Sequence, residues 1–277
     1  MTASAQPAWT VIMPVKTLST AKSRMDPDGG GAGGILALAF FRDTATAVLG
    51  CRLVGEVVVA TADPVIARHA GELGCTVVDD SGHPGINAAA SWAGSHRTGT
   101  GPVAVIVSDL PCLTAEALEA VLEAAAGLPA SFLPDADGSG TTMWLATDGS
   151  AIAPRFGPGS AAAHAAAGAR DLTAFVGDPD PVRPARRDVD TEADLLDARR
   201  IGVGPSTTTA LDPARPSSPI LVTALGRRDD GRLDLADEDG HRHAVDWETV
   251  TAAGFLDVRP GQRLVLDPGA TPSVRLP

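Results

Sequence analysis

Tyrosine is absent from this chain, and phenylalanine and tryptophan number only six and four in 277 residues. Basic residues are also scarce, with 22 Lys and Arg against 34 Asp and Glu and a formal net charge of −12. A protein that coats nucleic acid or lies on an anionic membrane shows a basic surplus, so neither partner is expected. Cysteine occurs three times, at Cys51, Cys75 and Cys112. These residues form no CxxC pair and no even disulfide framework, which points to a reducing cytoplasm. The opening Met1-Thr2-Ala3-Ser4-Ala5-Gln6 lacks the charged and apolar regions of a secretory signal. The longest apolar stretch, Ile35 to Phe41, is far short of the roughly 20 residues that span a bilayer. No GxSxG or HExxH motif is present, so covalent chemistry on a protein nucleophile is disfavoured.

What is present is core material. Apolar residues make up 44% of the chain and charged residues 20%, and the length allows one or two domains at about 150 residues each. Over the first two hundred residues, continuous apolar runs alternate with helical patterns. Trp9 to Pro14, Val57 to Thr61, Cys75 to Val78 and Val103 to Val107 read as strands. Helices are predicted over Ile35–Leu49, from Pro64 to Leu73, over Asn87–Ser95, and behind a Thr114 cap over Ala117–Ala126. Strand–helix alternation implies an α/β fold with a Rossmann-like, mostly parallel sheet covered on both faces. Ligands then bind beyond the carboxyl ends of the strands, which here carry Pro14 to Lys22, Asp63, Asp79-Asp80 and Asp109. This domain is assigned to residues 1–204. Residues 205–218, rich in Pro, Ser, Thr and Ala, read as a linker. Short alternating strands and turn signals over 219–277 predict a small all-β barrel.

Several motifs carry candidate chemistry. Gly29 to Gly34 contains GxGxxG but fails as a dinucleotide fingerprint, because Lys16 to Asp28 separate it from the strand. It reads as a flexible loop. Lys16, Lys22 and Arg24 place three cations after the first strand, able to hold a triphosphate or simply to be solvated. Asp109, in Ser108-Asp109-Leu110-Pro111, either ligates Mg²⁺ or opens a turn. Asp188 and Asp190 fall on one face if the segment is extended, and Asp190 is also a candidate cap for the helix that follows. Gly138 to Thr142 and Arg155 to Ser160 are small-residue loops whose backbone can approach a ligand. Ser160 opens an Ala-rich helix, either as an anion-binding hydroxyl or merely as an N-cap. The six histidines fit nothing catalytic, and His241-Arg242-His243 reads as exposed rather than metal-binding.

Together, PVKTLSTAKSRM, HPGINAA, SDLP, GSGTT, RFGPGS and DVDTEADL strongly resemble one family over about residues 9–200. It is the 2-phospholactate/phosphoenolpyruvate guanylyltransferases of coenzyme F420 biosynthesis, within the MobA-like nucleotidyltransferase fold. The resemblance implies transfer of GMP from GTP to phosphoenolpyruvate or 2-phospho-L-lactate. It implies Mg²⁺, two ions, on Asp109, Asp188 and Asp190, and acceptor binding by Thr142, Gly157 and Ser160. Lys16, Lys22, Arg24 and Asn87 would lie on the nucleotide side, with Asp109 and Lys22 as the catalytic residues. It further implies a downstream deazaflavin transferase that takes the product. The C-terminal segment resembles a cold-shock-like OB barrel at Gly254-Phe255 and Arg259 to Arg263. It has only Trp247 and Phe255 as aromatics, and seven basic against ten acidic residues over 219–277. Single-strand binding needs stacked aromatics over a positive groove, so this part reads as a packing or protein-interaction appendage.

Overall fold

The run Trp9-Thr10-Val11-Ile12-Met13-Pro14 forms β1 (Trp9–Pro14), buried at every position, as a strand covered on both faces requires. Its alternate side chains feed two layers. Val11 and Met13 join Phe41, Ile66 and Leu118 on one face, while Ile12 joins Val58, Ala90, Val105 and Trp144 on the other. The computed structural model describes residues 8–18, 32–148, 152–177, 181–211, 220–228, 230–237, 240, 242–267 and 273–277. The chain divides into two units, Met1–Leu211 and Asp212–Pro277.

After β1 the first unit continues through α1 (Ala32–Gly50), β2 (Val54–Ala60), α2 (Pro64–Leu73), β3 (Thr76–Val78), α3 (Ile86–Gly94), β4 (Val103–Ile106) and α4 (Ala115–Ala125). There follow β5 (Ala130–Pro134), β6 (Thr141–Ala146), α5 (Ser160–Ala166), β7 (Arg170–Asp171), α6 (Arg183–Arg186), α7 (Glu192–Ile201) and α8 (Pro205–Leu211). The strand order is β3-β2-β1-β4-β6-β5-β7. Only β6 runs antiparallel to its neighbours, and the other pairings are parallel. The expected mostly parallel α/β sheet is therefore what forms. Burial of Cys75 and Cys112 pushes their thiols up to about 11 and about 12, so neither is an activated nucleophile.

The helix α1 is longer than its apolar run suggested. Residues Gly33–Gly50 are long and apolar enough to cross a membrane by length and composition alone. Here α1 is a core helix, with Phe40, Phe41, Ala45 and Val48 fully buried. Ala32 to Gly34 of the expected glycine loop start this helix, and Gly29 to Gly31 lie outside the described residues.

Two polar side chains of α1 organise the surrounding loops. The buried Thr44 hydroxyl accepts from the Leu110 N–H at 3.1 Å and lies 3.4 Å from the Ser108 carbonyl, gripping the turn that carries Asp109. The Asp43 carboxylate accepts from the backbone N–H groups of Ser206 and Thr207 at 2.9 and 2.8 Å. That cap explains a departure from the sequence expectation: residues 205–211, read as the start of a linker, form α8. Gly204 lies so close to Asp43 that a Cβ there would stand 2.4 Å from its Cγ. The rest of the expected linker, 212–218, lies outside the described residues.

The second unit contains β8 (Ile220–Arg227), β9 (Leu233–Asp237), β10 (Arg242–Val245), α9 (Trp247–Ala252), β11 (Arg263–Asp267) and β12 (Ser273–Arg275). Its antiparallel sheet has the order β10-β9-β8-β11-β12 around a core of Val222, Leu233, Leu235, Val250 and Leu264. The sequence reading had this unit as all-β. The helix α9 corrects that, and its Val250 fills the core. His243 is half-buried on β10, 3.0 Å from the Asp237 carboxylate, while His241 lies outside the described residues.

Replacing Asp43 with Ala removes the cap of α8 and leaves two backbone donors without an acceptor. The expected loss is about 2 kcal/mol in chemical denaturation, with faster amide exchange at Ser206 and Thr207.

Candidate active site

Acidic side chains meet at the carboxyl ends of β4 and β5. Asp109 follows β4, Asp135 follows β5, and Asp188 and Asp190 flank Val189 just ahead of α7. A backbone bond joins the first and last of these segments: the Val189 N–H donates to the Asp109 carbonyl at 3.2 Å. Val189 itself is buried with Phe40, Cys112 and Ala198, which anchors the segment from the apolar side. Arg186 ties the same stretch to the end of β5, donating to the Pro134 and Asp135 carbonyls at 3.1 and 2.9 Å. The electrostatic consequence falls on Asp188. Burial, then the charges of Asp109, Asp135 and Asp190, push its carboxyl up to about 7.

Repelling carboxylates held at a strand end suit a hard divalent cation. Among the described residues no three His, Cys, Asp or Glu side chains already enclose a common point. Mg²⁺ does not need such a cage, since it is held through one or two carboxylates, retained waters and substrate phosphates. The donor chemistry therefore fits. Asp190 was also a candidate helix cap, but the N-cap of α7 is Thr191, in a capping box with Asp194. Asp135 was missed in the sequence because Asp135-Ala136-Asp137-Gly138 reads as a plain turn. Its carboxylate accepts from the Ser139 and Gly140 N–H groups at 3.0 and 2.8 Å. A Cβ on Gly140 would meet it at 2.2 Å, so the glycine before the two threonines is a steric requirement.

Beside the acids lies the loop Arg155 to Ser160. Gly157 and Gly159 have φ of 134° and 70°, conformations that side chains with a Cβ resist. Ser160 is the first residue of α5 rather than its cap; Gly159 holds the cap position without a side-chain bond. The buried Ser160 hydroxyl instead donates to Thr141 Oγ1 at 3.0 Å. Thr141 Oγ1 also lies 3.1 Å from His164 Nδ1. Strand alternation turns Thr142 to the opposite face. There it is 0% exposed, with its hydroxyl 3.4 Å from the Leu133 carbonyl. Of the two adjacent threonines, Thr141 is thus the one that meets Ser160, while Thr142, the expected acceptor ligand, lies on the other face. Gly157 is exposed on the loop, as a backbone ligand must be.

On the nucleotide side, Lys16 is exposed just beyond β1. Lys22 and Arg24 lie outside the described residues, although the chain's two lysines, Lys16 and Lys22, both belong to this loop. Asp63 anchors the loop's start. Its Oδ1 caps α2 through Val65 and Ile66, and its Oδ2 accepts from the Leu18 N–H at 2.8 Å. Asn87, expected on the nucleotide side, bonds the loop Arg155 to Ser160 through its carboxamide. Its amide oxygen accepts from the Phe156 N–H at 2.8 Å and its amide nitrogen donates to the Phe156 carbonyl at 3.0 Å. That carboxamide is committed to the acceptor loop.

Comparison with known proteins gives the family. The family model described as "Guanylyl transferase CofC like" matches residues 9–210. The chain belongs to the CofC-like guanylyl transferase family. A phosphoenolpyruvate guanylyltransferase of Salinispora arenicola is 44% identical over 215 residues, covering 76% of this chain and 96% of that one. Its counterpart in Streptomyces avermitilis is 44% identical over 207 residues, covering 73% and 93%. Among solved structures, a nucleotidyl transferase from Methanothermobacter thermautotroptrophicus shares the fold at a TM-score of 0.50. It is 15% identical and covers 70% of this chain and 96% of that one. The CofC-like match ends ahead of the second unit.

The raised carboxyl of Asp188 makes a prediction with a definite sign. A group held above its unfolded value binds its proton more tightly in the native state, so stability is full near pH 4 and lost as pH rises through about 7. Without added metal, Asp188→Asn should therefore be more stable than the wild type at pH 8, by roughly 1–3 kcal/mol. The difference should vanish toward pH 4. Urea denaturation at the two pH values checks it.

Proposed function

We propose that the chain transfers GMP from GTP to phosphoenolpyruvate, giving enolpyruvyl-diphospho-guanosine and pyrophosphate, a step of coenzyme F420 biosynthesis. The observation that carries this reading is the convergence of Asp109, Asp135, Asp188 and Asp190, evident in the carboxyl of Asp188, beside a loop of positive-φ glycines. The relatives' shared name supports the choice of acceptor. A phosphate oxygen of the acid attacks the α-phosphorus of GTP in line, the bond from that phosphorus to the bridging oxygen breaks, and pyrophosphate leaves. The attacking phosphate is already anionic, so no protein nucleophile is called for. Lys16, Lys22 and Arg24 meet the triphosphate, Lys22 at the transferred group, while the Gly157–Ser160 loop holds the acid. Asp109, Asp188 and Asp190 would hold Mg²⁺, whose chemistry there is to offset phosphate charge.

The second unit, in this reading, is an OB-like appendage that serves protein contacts. Its strand order, third-second-first-fourth-fifth with a helix between the third and fourth, supports the OB assignment. Its acidic balance speaks against a nucleic-acid partner. The activated product calls for a transferase that passes its phosphoryl-linked group to a deazaflavin.

Pyrophosphate release by the full chain, measured with GTP and either phosphoenolpyruvate or 2-phospho-L-lactate, tests the reaction. Release should depend on phosphoenolpyruvate and stop with a chelator, and Asp109→Ala should lower it by about 100-fold or more. Release with 2-phospho-L-lactate alone would reassign the acceptor, and none with either would overturn the reaction. A chain ending at Leu211 should keep its kcat/KM, since the family match lies within that span.

A further inference from the structure

Two consecutive residues of the acceptor loop have their backbone held by side chains from two different helices. The Arg155 N–H donates to His164 Nε2 at 2.8 Å, and the Phe156 N–H and carbonyl are held by the Asn87 carboxamide at 2.8 and 3.0 Å. Asn87 stands in the first turn of α3 and His164 in the last turn of α5. The same α3 adds a third tie, since the Ser91 hydroxyl donates to the Ile152 carbonyl at 2.8 Å. The loop that carries Gly157 and Ser160 therefore hangs between a helix of the nucleotide half and a helix of the acceptor half.

The geometry specifies the state of the His164 ring. A ring nitrogen that accepts a backbone N–H must offer its lone pair, so Nε2 is unprotonated and the ring proton sits on Nδ1. Nδ1 faces Thr141 Oγ1 at 3.1 Å, and Thr141 Oγ1 in turn receives the Ser160 hydroxyl. One imidazole thus links the backbone at the loop's start to the hydroxyl at its end. The ring is 1% exposed and lies against Phe132, 5.6 Å between ring centroids, and Phe156, at 5.7 Å. Burial and the Arg155 charge keep it below the usual histidine range, in accord with that tautomer. A buried histidine with both nitrogens used is more than packing material. An apolar residue would fill the space but leave the Arg155 N–H without its acceptor and Thr141 with one partner fewer.

We propose that His164, together with Asn87 of α3, is a positioning residue for the acceptor acid. By fixing the Arg155 and Phe156 peptides they set Gly157 and Ser160 in the conformation that receives the acid, without touching either substrate's reacting atoms. This rests on the guanylyl-transfer reading above. It moves Asn87 from the nucleotide's ligands to the acceptor's supports, and gives a role to a histidine the sequence reading set aside.

The test is steady-state kinetics of the full chain with GTP and phosphoenolpyruvate, alongside amide hydrogen exchange over residues 152–160. The variants are His164→Leu, His164→Gln and Asn87→Ala. In His164→Leu and Asn87→Ala the KM for phosphoenolpyruvate should rise by about tenfold while the KM for GTP stays unchanged. Exchange should quicken at Arg155 in the first variant and at Phe156 in the second. His164→Gln, whose amide oxygen can accept from Arg155, should restore most of both properties. An unchanged acid KM in His164→Leu and Asn87→Ala would overturn the proposal, as would equal rises for both substrates. A rise in the GTP KM alone for Asn87→Ala would return that residue to the nucleotide. If His164→Leu does not fold, Asn87→Ala decides by the same criteria, since Asn87 is only half-buried, and His164→Gln should still keep an acid KM near that of the wild type. Failure of the wild type to turn over either phospho-acid would instead sink the reaction itself, seen before any variant is compared.

Discussion

Like charges do not gather at the end of a buried sheet unless something holds them there. Burial, and then repulsion from Asp109, Asp135 and Asp190, push the Asp188 carboxyl up to about 7. The restraint that opposes this is the backbone bond from Val189 to the Asp109 carbonyl. Apolar packing reinforces it, because Val189 is buried against Phe40 of α1, with Cys112 and Ala198. Thr44, one turn further along α1, fixes the turn that carries Asp109. The repulsion is thus contained by hydrogen bonds and hydrophobic burial, neither of which weakens when the carboxylates ionise. Such a site is strained without a counter-charge and relaxed with one.

The acceptor half is built on a different constraint. Gly157 and Gly159 adopt backbone conformations open to few other residues, and a loop so permissive is not self-ordering. Order comes from outside it, through His164, Asn87 and Ser91, each satisfying a backbone group that would otherwise depend on water. The two halves meet at the β5–β6 turn, where Asp135 binds Gly140 and the next residue, Thr141, binds Ser160. Charge on one side and hydroxyls on the other are therefore one residue apart along the chain.

Much of this was legible in the residues alone. β1 and β4 announced themselves as continuous apolar runs, Thr114 caps α4 as its type suggests, and Asp109 stands at a strand end where a carboxylate has open space. The failures share one cause. That Thr141 rather than Thr142 meets the Ser160 hydroxyl is not visible locally, because adjacent residues of a strand differ only by face and the neighbouring strands decide what each face meets. Ser160 and Asp190 looked like caps because local sequence does not show that Gly159 and Thr191 occupy those positions. Residues 205–211 looked like linker because the group that makes them helical, Asp43, lies over 160 residues away.

Composition and local pattern were enough to determine the α/β class, which depends on residue type and near-neighbour spacing, while the chemistry to expect came from the family that the ordered motifs resemble. Tertiary structure alone decided which side chains share a space. It brought Asp135 to Asp188, joined Val189 to Asp109, and turned Asn87 and His164 onto the same loop. Those pairings are hydrogen bonds and Coulomb forces acting between residues distant in the chain, and short-range forces of that kind leave no trace in the sequence until folding brings the partners together.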